Sequence, residues 1–429
     1  MNAPAILPEN LAREVIAGTS YGEWNGILDT FDRLREEMPV AKVVAEDDSF
    51  EPFWLITRYE DVMRISKDNK TFLNNPKPVV FATREATEFS RKATGSNMLV
   101  DSLVVFDAPI HPKYRKLTMD WFMPRNLAKM EEEIRALAEK RLDAMIEAGP
   151  EVDFVKLVAA PMPLHVIMQI LGIPEEDEPR MLMLTQQMFG GQDADLSGSG
   201  MQDMSPEQIV QMVAAAVKNF EDYFAQIAAD RRANPTDDVA SVIANAKVDG
   251  ELLPDRDMAG YYIIMAAAGH DTTSATMSGA MQALANDPAE FARVKADRSL
   301  LPGLVEEAIR TTTSVQHFMR TAAEDVEVGG QLIRQGDWMM LNYVSANYDP
   351  AQFEDPRTFD AARSPNRHAA FGAGSHQCLG LHLARLQIKV LFEALLDRVE
   401  SVEPAGKAER ANTTFVGGLK TLPLRITPG

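Results

Sequence analysis

The stretch Phe371-Gly-Ala-Gly-Ser-His-Gln-Cys-Leu-Gly380 constrains this chain most, because it holds Cys378, the only cysteine in 429 residues. With one cysteine no intrachain disulfide is possible, so a packed core must hold the chain together. Gly372 and Gly374 allow a tight turn ahead of Cys378. Gly380 removes a side chain just after it, leaving room for something flat and bulky. From Leu379 the pattern turns helical, with Leu383, Leu386, Leu391 and Leu395 near helical spacing. That spacing predicts Cys378 at a helix start, where free N–H groups and the dipole favour a thiolate.

A solitary cysteine is usually a small buried hydrophobe. A structural zinc site needs more ligands than the nearby His376 and His382 supply. A dinucleotide fingerprint fails as well, since Gln377 stands where its third glycine would fall. A single axial thiolate to a haem iron fits, with Phe371 and the glycines shaping the pocket around the sulfur. The pattern Phe-Gly-x-Gly-x-His-x-Cys-x-Gly resembles the haem-binding signature of the cytochrome P450 family. The resemblance implies a mainly α fold with small β-sheets (α+β), a prism-like helical domain around a buried haem b. It implies Cys378 as the proximal metal ligand, with Phe371, Gly372 and Gly380 against the cofactor and His376 on a propionate.

Apolar content of 45% suffices for a large core, and no linker divides the chain, so one domain over residues 1–429 is expected. Within it we expect a helix-rich body from about residue 105 onward. A smaller sheet-containing portion is expected from about 40–105 and 310–345 together with the C-terminal strands. A net charge of −20 argues against nucleic acid and anionic membranes as partners. Met1 to Leu11 has neither a long apolar run nor a basic leader, which predicts no signal peptide, no membrane anchor and a cytoplasmic protein.

Ala41–Val44 and Phe53–Thr57 read as a small hairpin and Tyr59–Asp68 as a helix. Asn74 to Asp101 shows no sustained period and reads as an irregular loop, which the resemblance places over a substrate pocket. His111 and Arg115 lie four apart on one helical face. Such a pair is commonly a solvated basic patch. The resemblance instead implies donors to haem propionates, Arg115 being suited to bidentate carboxylate binding. Gly190 to Gly200 is flexible by composition and, by resemblance, joins two lid helices.

Between Pro254 and Pro288 lie roughly 30 proline-free residues, about 45 Å if helical. Tyr261 to Ala268 is apolar on every face, and then Gly269-His-Asp-Thr-Thr-Ser274 breaks the pattern. Hydroxyls, an acid and a glycine inside a buried helix are costly unless used. Asp271 as a mere N-cap is the blander reading, but the apolar pattern resumes at Ala275. The stretch resembles the family's Ala-Gly-x-Asp/Glu-Thr-Thr motif, which implies Ala268 beside the cofactor, Thr272 hydrogen-bonding dioxygen and Asp271 relaying protons. A relay role for His270 is a further, weaker expectation.

Glu307 and Arg310, three apart on a helix, resemble the family's Glu-x-x-Arg, with Arg363 as third partner. These three are expected to form a buried ion network with a structural role. By resemblance Arg320 donates to a propionate. Expected substrate-wall residues are Met98, Leu99, Ile264, Val315, Phe318 and Val416.

These signatures imply a haem-thiolate monooxygenase, close to a bacterial subgroup that oxidises alpha-terpineol. It would insert one atom of O2 into a C–H bond of a small apolar substrate, a monoterpenoid or alkyl-aromatic. No flavin or nicotinamide motif is present, so electrons are expected from NAD(P)H through a ferredoxin reductase and an iron–sulfur ferredoxin. Lys113, Lys116, Arg385 and Lys389 are candidates for docking that ferredoxin. A peroxygenase and a non-catalytic haem-thiolate sensor are the alternatives. Asp271-Thr272 argues against the first, and a proton relay would be superfluous in the second.

Overall fold

A computed structural model describes residues 4–189, 193 and 206–429. The expected loop at 190–200 falls, apart from Asp193, outside the described residues. The chain folds as helices packed beside one mixed sheet. Val40–Val43 and Phe53–Ile56 form the antiparallel hairpin, Val40 opposite Ile56. Phe53–Ile56 then pairs in parallel with Trp338–Leu341, and Trp338–Asn342 runs antiparallel to His317–Thr321. Phe72 and Leu73 close the five-stranded sheet against Ala322 and Thr321. Both faces of Phe53–Ile56 and Trp338–Asn342 are buried, which explains their continuous apolar runs.

The C-terminal strands depart from the expected grouping. Val399–Pro404 pairs with Pro423–Pro428, which pairs with Glu151–Asp153, in a separate three-stranded sheet. Val402, Leu424 and Ile426 are buried in the large helical core with Leu391 and Leu395. Their apolar faces thus cover the helices rather than the five-stranded sheet.

A second departure is the helix Arg84–Thr94 inside the segment read as irregular. Of its residues only Ser90 is buried, so no apolar stripe marks it. Its ends carry the signal instead. The Thr83 side chain accepts from Ala86 N at 3.2 Å, and Gly95 ends the helix at φ +75°.

The proline-free span forms two helices, Asp255–Ala268 and Asp271–Asn286, broken at Gly269–His270. Tyr261, Tyr262 and Ile263 are buried in the core. Among the described residues no helix is long and apolar enough to cross a membrane.

Candidate cofactor site

Ile110–Met119, the two broken-helix segments, the strand His317–Ala322 and the helix Leu381–Arg398 all contribute residues to one internal cavity. The Cys378 stretch forms part of its lining. Gly372 and Gly374 sit at φ +63° and +75°, and Cys378 N donates to Phe371 O at 2.9 Å, closing the turn. A Cβ on Gly374 would lie 2.7 Å from Ser66 O, so only glycine fits there. A Cβ on Gly380 would meet nothing within 4 Å, so the space at this glycine is open.

The helix itself begins at Leu381, with Gly380 as N-cap, so Cys378 lies just ahead of it. Burial pushes the Cys378 thiol up, against the pull of the Gly380 N–H, Arg115 and Arg385. Removal from solvent thus opposes the pull that the helix start and the two arginines exert on the thiol. A coordinated metal ion deprotonates such a thiol outright, which a dipole in a desolvated site does not.

His111, Arg115, Arg320 and His376 converge on the same cavity. The two imidazoles stack with ring centroids 3.9 Å apart. Burial, together with the neighbouring Arg115, depresses His111 to about 4. Burial, His111, Arg320 and Arg115 depress His376 to about 2. Both rings are thus neutral, and the charge at this edge is carried by the two arginines. Burial also lowers Arg115 and Arg320, and neither forms an ion pair among the described residues. Arg320 is 5% exposed, and His111 Nε2 is buried without a partner. Cations without an ion partner and an orphaned imidazole nitrogen around the same cavity as the cysteine fit a planar group that carries both a metal and carboxylates. Haem b has that donor demand, and the open space at Gly380 suits its plane.

At the helix break, Thr272 Oγ1 donates to Ala268 O at 2.9 Å, and Thr276 Oγ1 donates to Thr272 O at 2.9 Å. These bonds reach back four residues, which loosens the ladder where it opens. Thr272, Thr273 and Thr276 line the cavity, but Asp271 does not. Asp271 begins the second helix without capping it, and its side chain is 29% exposed. His270 is buried, with Nδ1 3.0 Å from Asp271 Oδ1.

Glu307 is fully buried and accepts from Arg310 Nη2 at 2.7 Å, Arg310 Nε at 2.8 Å, Asn366 Nδ2 at 2.9 Å and Arg363 Nε at 3.0 Å. These three charged groups do come together. Arg310 Nη1 also donates to Asn347 O and Pro356 O, both at 2.8 Å. The network ties the segment that leads into Phe371 and Cys378 to the helix Leu301–Thr312.

Of the expected wall residues, Ile264, Val315 and Phe318 line the cavity with Ala268, while Met98, Leu99 and Val416 do not. Met98 O is taken up by Thr94 Oγ1 at 3.0 Å in a turn closing the missed helix. Leu99 packs on the main core. Val416 is held in a β-bridge to Val315, so the turn supports the wall rather than forming it. Leu103, Val104 and Ile309 line the cavity in their place. The apolar run Leu103-Val-Val-Phe106 was the available signal for the first two. Tyr343 and Gln387 also line it and were missed. Gln387, a lone amide among Leu383, Ile388 and Leu391, is buried with both amide atoms unpaired and was findable as a polar misfit.

Three of the four candidate docking cations are already paired. Lys113 meets Asp249 at 2.5 Å, Arg385 meets Glu306 at 2.6 Å and Lys389 meets Glu393 at 3.4 Å. Lys116 has no ion pair among the described residues.

The family model described as cytochrome P450 matches residues 15–427. Cytochrome P450-terp of a Pseudomonas species is 41% identical over 428 residues, covering 100% of both chains. Linalool 8-monooxygenase of Pseudomonas putida is 31% identical, covering 93% of this chain and 95% of its own. Among solved structures, CYP108D1 from Novosphingobium aromaticivorans is 62% identical with a TM-score of 0.91, covering 99% of this chain and 100% of its own. The Mycobacterium marinum CYP268A2 complex with pseudoionone is 33% identical, with a TM-score of 0.84 and coverage of 93% and 94%.

Proposed function

This chain belongs to the cytochrome P450 family, a haem b enzyme family, and on that premise we propose a monooxygenase for small apolar terpenoid or alkyl-aromatic substrates. The observation that carries the reading is one cavity lined by the sole cysteine, by Arg115 and Arg320, which form no ion pair among the described residues, and by the Thr272 hydroxyl. When bound, haem b supplies the redox chemistry that activates dioxygen, with a thiolate donating electron density to the iron. Cys378 Sγ would hold its iron. Arg115 and Arg320 would bind its propionates as cations, while neutral His111 and His376 donate single N–H groups. Thr272 would present its hydroxyl to dioxygen once it turns from Ala268 O. Asp271, partly exposed and adjacent in sequence, would pass protons inward to that hydroxyl.

Ile264, Val315, Phe318 and Ile309 offer the substrate apolar contact without a charge. Such a wall selects by shape, at about 1–3 kcal/mol per methylene. The names of linalool 8-monooxygenase and of the pseudoionone complex support a terpenoid-sized ligand. Electrons would come from NAD(P)H through a ferredoxin reductase and an iron–sulfur ferredoxin in the cytoplasm. The test is NADH-coupled product formation with both redox proteins, beside a substrate panel read by the low-to-high spin shift. Thr272→Ala is expected to keep substrate binding while diverting electrons to hydrogen peroxide, by tenfold or more per product formed, on the order of one lost acid–base group. Full coupling in that variant would refute the relay.

A further inference from the structure

Glu306, next to the structural Glu307, makes a separate set of contacts toward Cys378. Arg385 Nε and Nη2 donate to its two carboxylate oxygens at 2.6 and 2.8 Å, a two-pronged pair. His368 Nε2 lies 3.2 Å from Glu306 Oε2, with its ring side chain 3% exposed. The guanidinium so held sits over the Phe371 ring, 4.8 Å from its centroid. His368 approaches the same ring at 5.5 Å. Phe371 is the residue whose carbonyl accepts the Cys378 N–H at 2.9 Å. One carboxylate therefore clamps the two cationic or donor groups that flank the turn around the sulfur.

The neighbouring acids divide the work. Glu307 takes Arg310, Arg363 and Asn366, none of which bonds Arg385. Glu306 takes no part in that network; its partners are Arg385 and His368. Burial pushes the Glu306 carboxyl up, yet hydrogen bonds from Arg385 and His368 pull it down to about 2, so it stays ionised. The field of Arg385 reaches Cys378, where it favours the thiolate.

We propose that Glu306 is a positioning residue that sets the reduction potential of the bound cofactor, by fixing and neutralising the Arg385 charge over Phe371. The inference rests on Cys378 being the haem ligand. Adding one electron to the site increases its negative charge. A bare Arg385 cation favours that reduced state, and the Glu306 carboxylate offsets it. For a unit charge on the order of 10 Å from a redox centre, an effective dielectric near 20 gives a shift of roughly tenfold. Tenfold is about 59 mV for a one-electron couple.

The test is a spectroelectrochemical titration of the holoenzyme with its variants. Glu306→Gln keeps shape and hydrogen-bonding atoms, and the midpoint potential is expected to rise by about that amount. Arg385→Gln is expected to lower it, and the double variant to return near the parent value. The single Arg385→Gln variant stands alone if Glu306→Gln does not fold. An unchanged potential in both, or shifts of the same sign, would overturn the proposal and leave Glu306 as a purely structural clamp. The reduced, CO-bound spectrum of the parent enzyme separates this from the underlying reading. Absence of a thiolate signature there would refute the ligand assignment itself.

Discussion

Replacing Glu307 by Gln is expected to destabilise the fold by about 3–5 kcal/mol, as breaking a buried ion pair from one side does. The carboxylate is 0% exposed and accepts from two guanidiniums, one amide and the Asp360 N–H at 3.2 Å. Its loss strands the Arg310 cation, itself 0% exposed, with only neutral acceptors, the introduced amide oxygen and backbone carbonyls. At about 2.1 cal/mol/K per residue, unfolding this chain carries an entropy of about 0.9 kcal/mol/K near the midpoint. A loss of 4 kcal/mol on that scale lowers Tm by about 4–5 °C. Melting followed by circular dichroism and by the haem absorbance checks it. The haem signal should be lost first, because the network holds the chain that leads into Cys378. Arg310→Met combined with Glu307→Gln should cost less than the sum of the two singles, since the stranded charge is gone. A Tm change below about 1 °C, or strict additivity, would refute the reasoning.

The remaining expectations concern pH, the cysteine turn and partner docking. His317 is fully buried, with Nδ1 2.7 Å from Thr414 O and Nε2 accepting from Phe81 N at 3.1 Å. Burial, opposed by the Thr414 carbonyl, depresses it to about 4. Its folded value lies below the unfolded one, so the unfolded chain binds the proton first. Stability is then complete above about pH 6.5 and falls by on the order of 3 kcal/mol toward pH 4. Denaturant titration at both ends checks this, and His317→Gln should flatten the slope. Gly374→Ala places a Cβ 2.7 Å from Ser66 O at φ +75°, at a cost of about 1–3 kcal/mol. Gly380→Ala meets no protein atom within 4 Å, so it should fold normally and lower haem retention alone. Lys116→Glu should slow ferredoxin-driven turnover severalfold and spare peroxide-driven turnover; equal loss in both would defeat docking at this lysine.

How far the chain was readable followed the range of each interaction. Gly372, Gly374, Cys378 and Gly380 announce a turn around a sulfur because backbone dihedrals and an absent Cβ are local properties. His111 and Arg115, or Glu307 and Arg310, are neighbours on a helix by spacing alone. The helix Arg84–Thr94 escaped because only Ser90 of its residues is buried, so tertiary contact left no apolar stripe in the sequence. Met98, Leu99 and Val416 stand outside the lining of this cavity, and apolar character alone does not say which surface a side chain covers.

Residue order alone determined the mainly helical class, the family signature and the identity of the thiol, since these rest on spacing and on chemistry that occurs once. Folding decided the rest. It sent the consecutive acids Glu306 and Glu307 to different arginines, and the C-terminal strands to the helical core. It also placed Cys378 where burial raises its pKa against the pull of the Gly380 N–H, Arg115 and Arg385. The physical reason is that desolvation and partner choice are set by groups distant in sequence, whose approach no local pattern records.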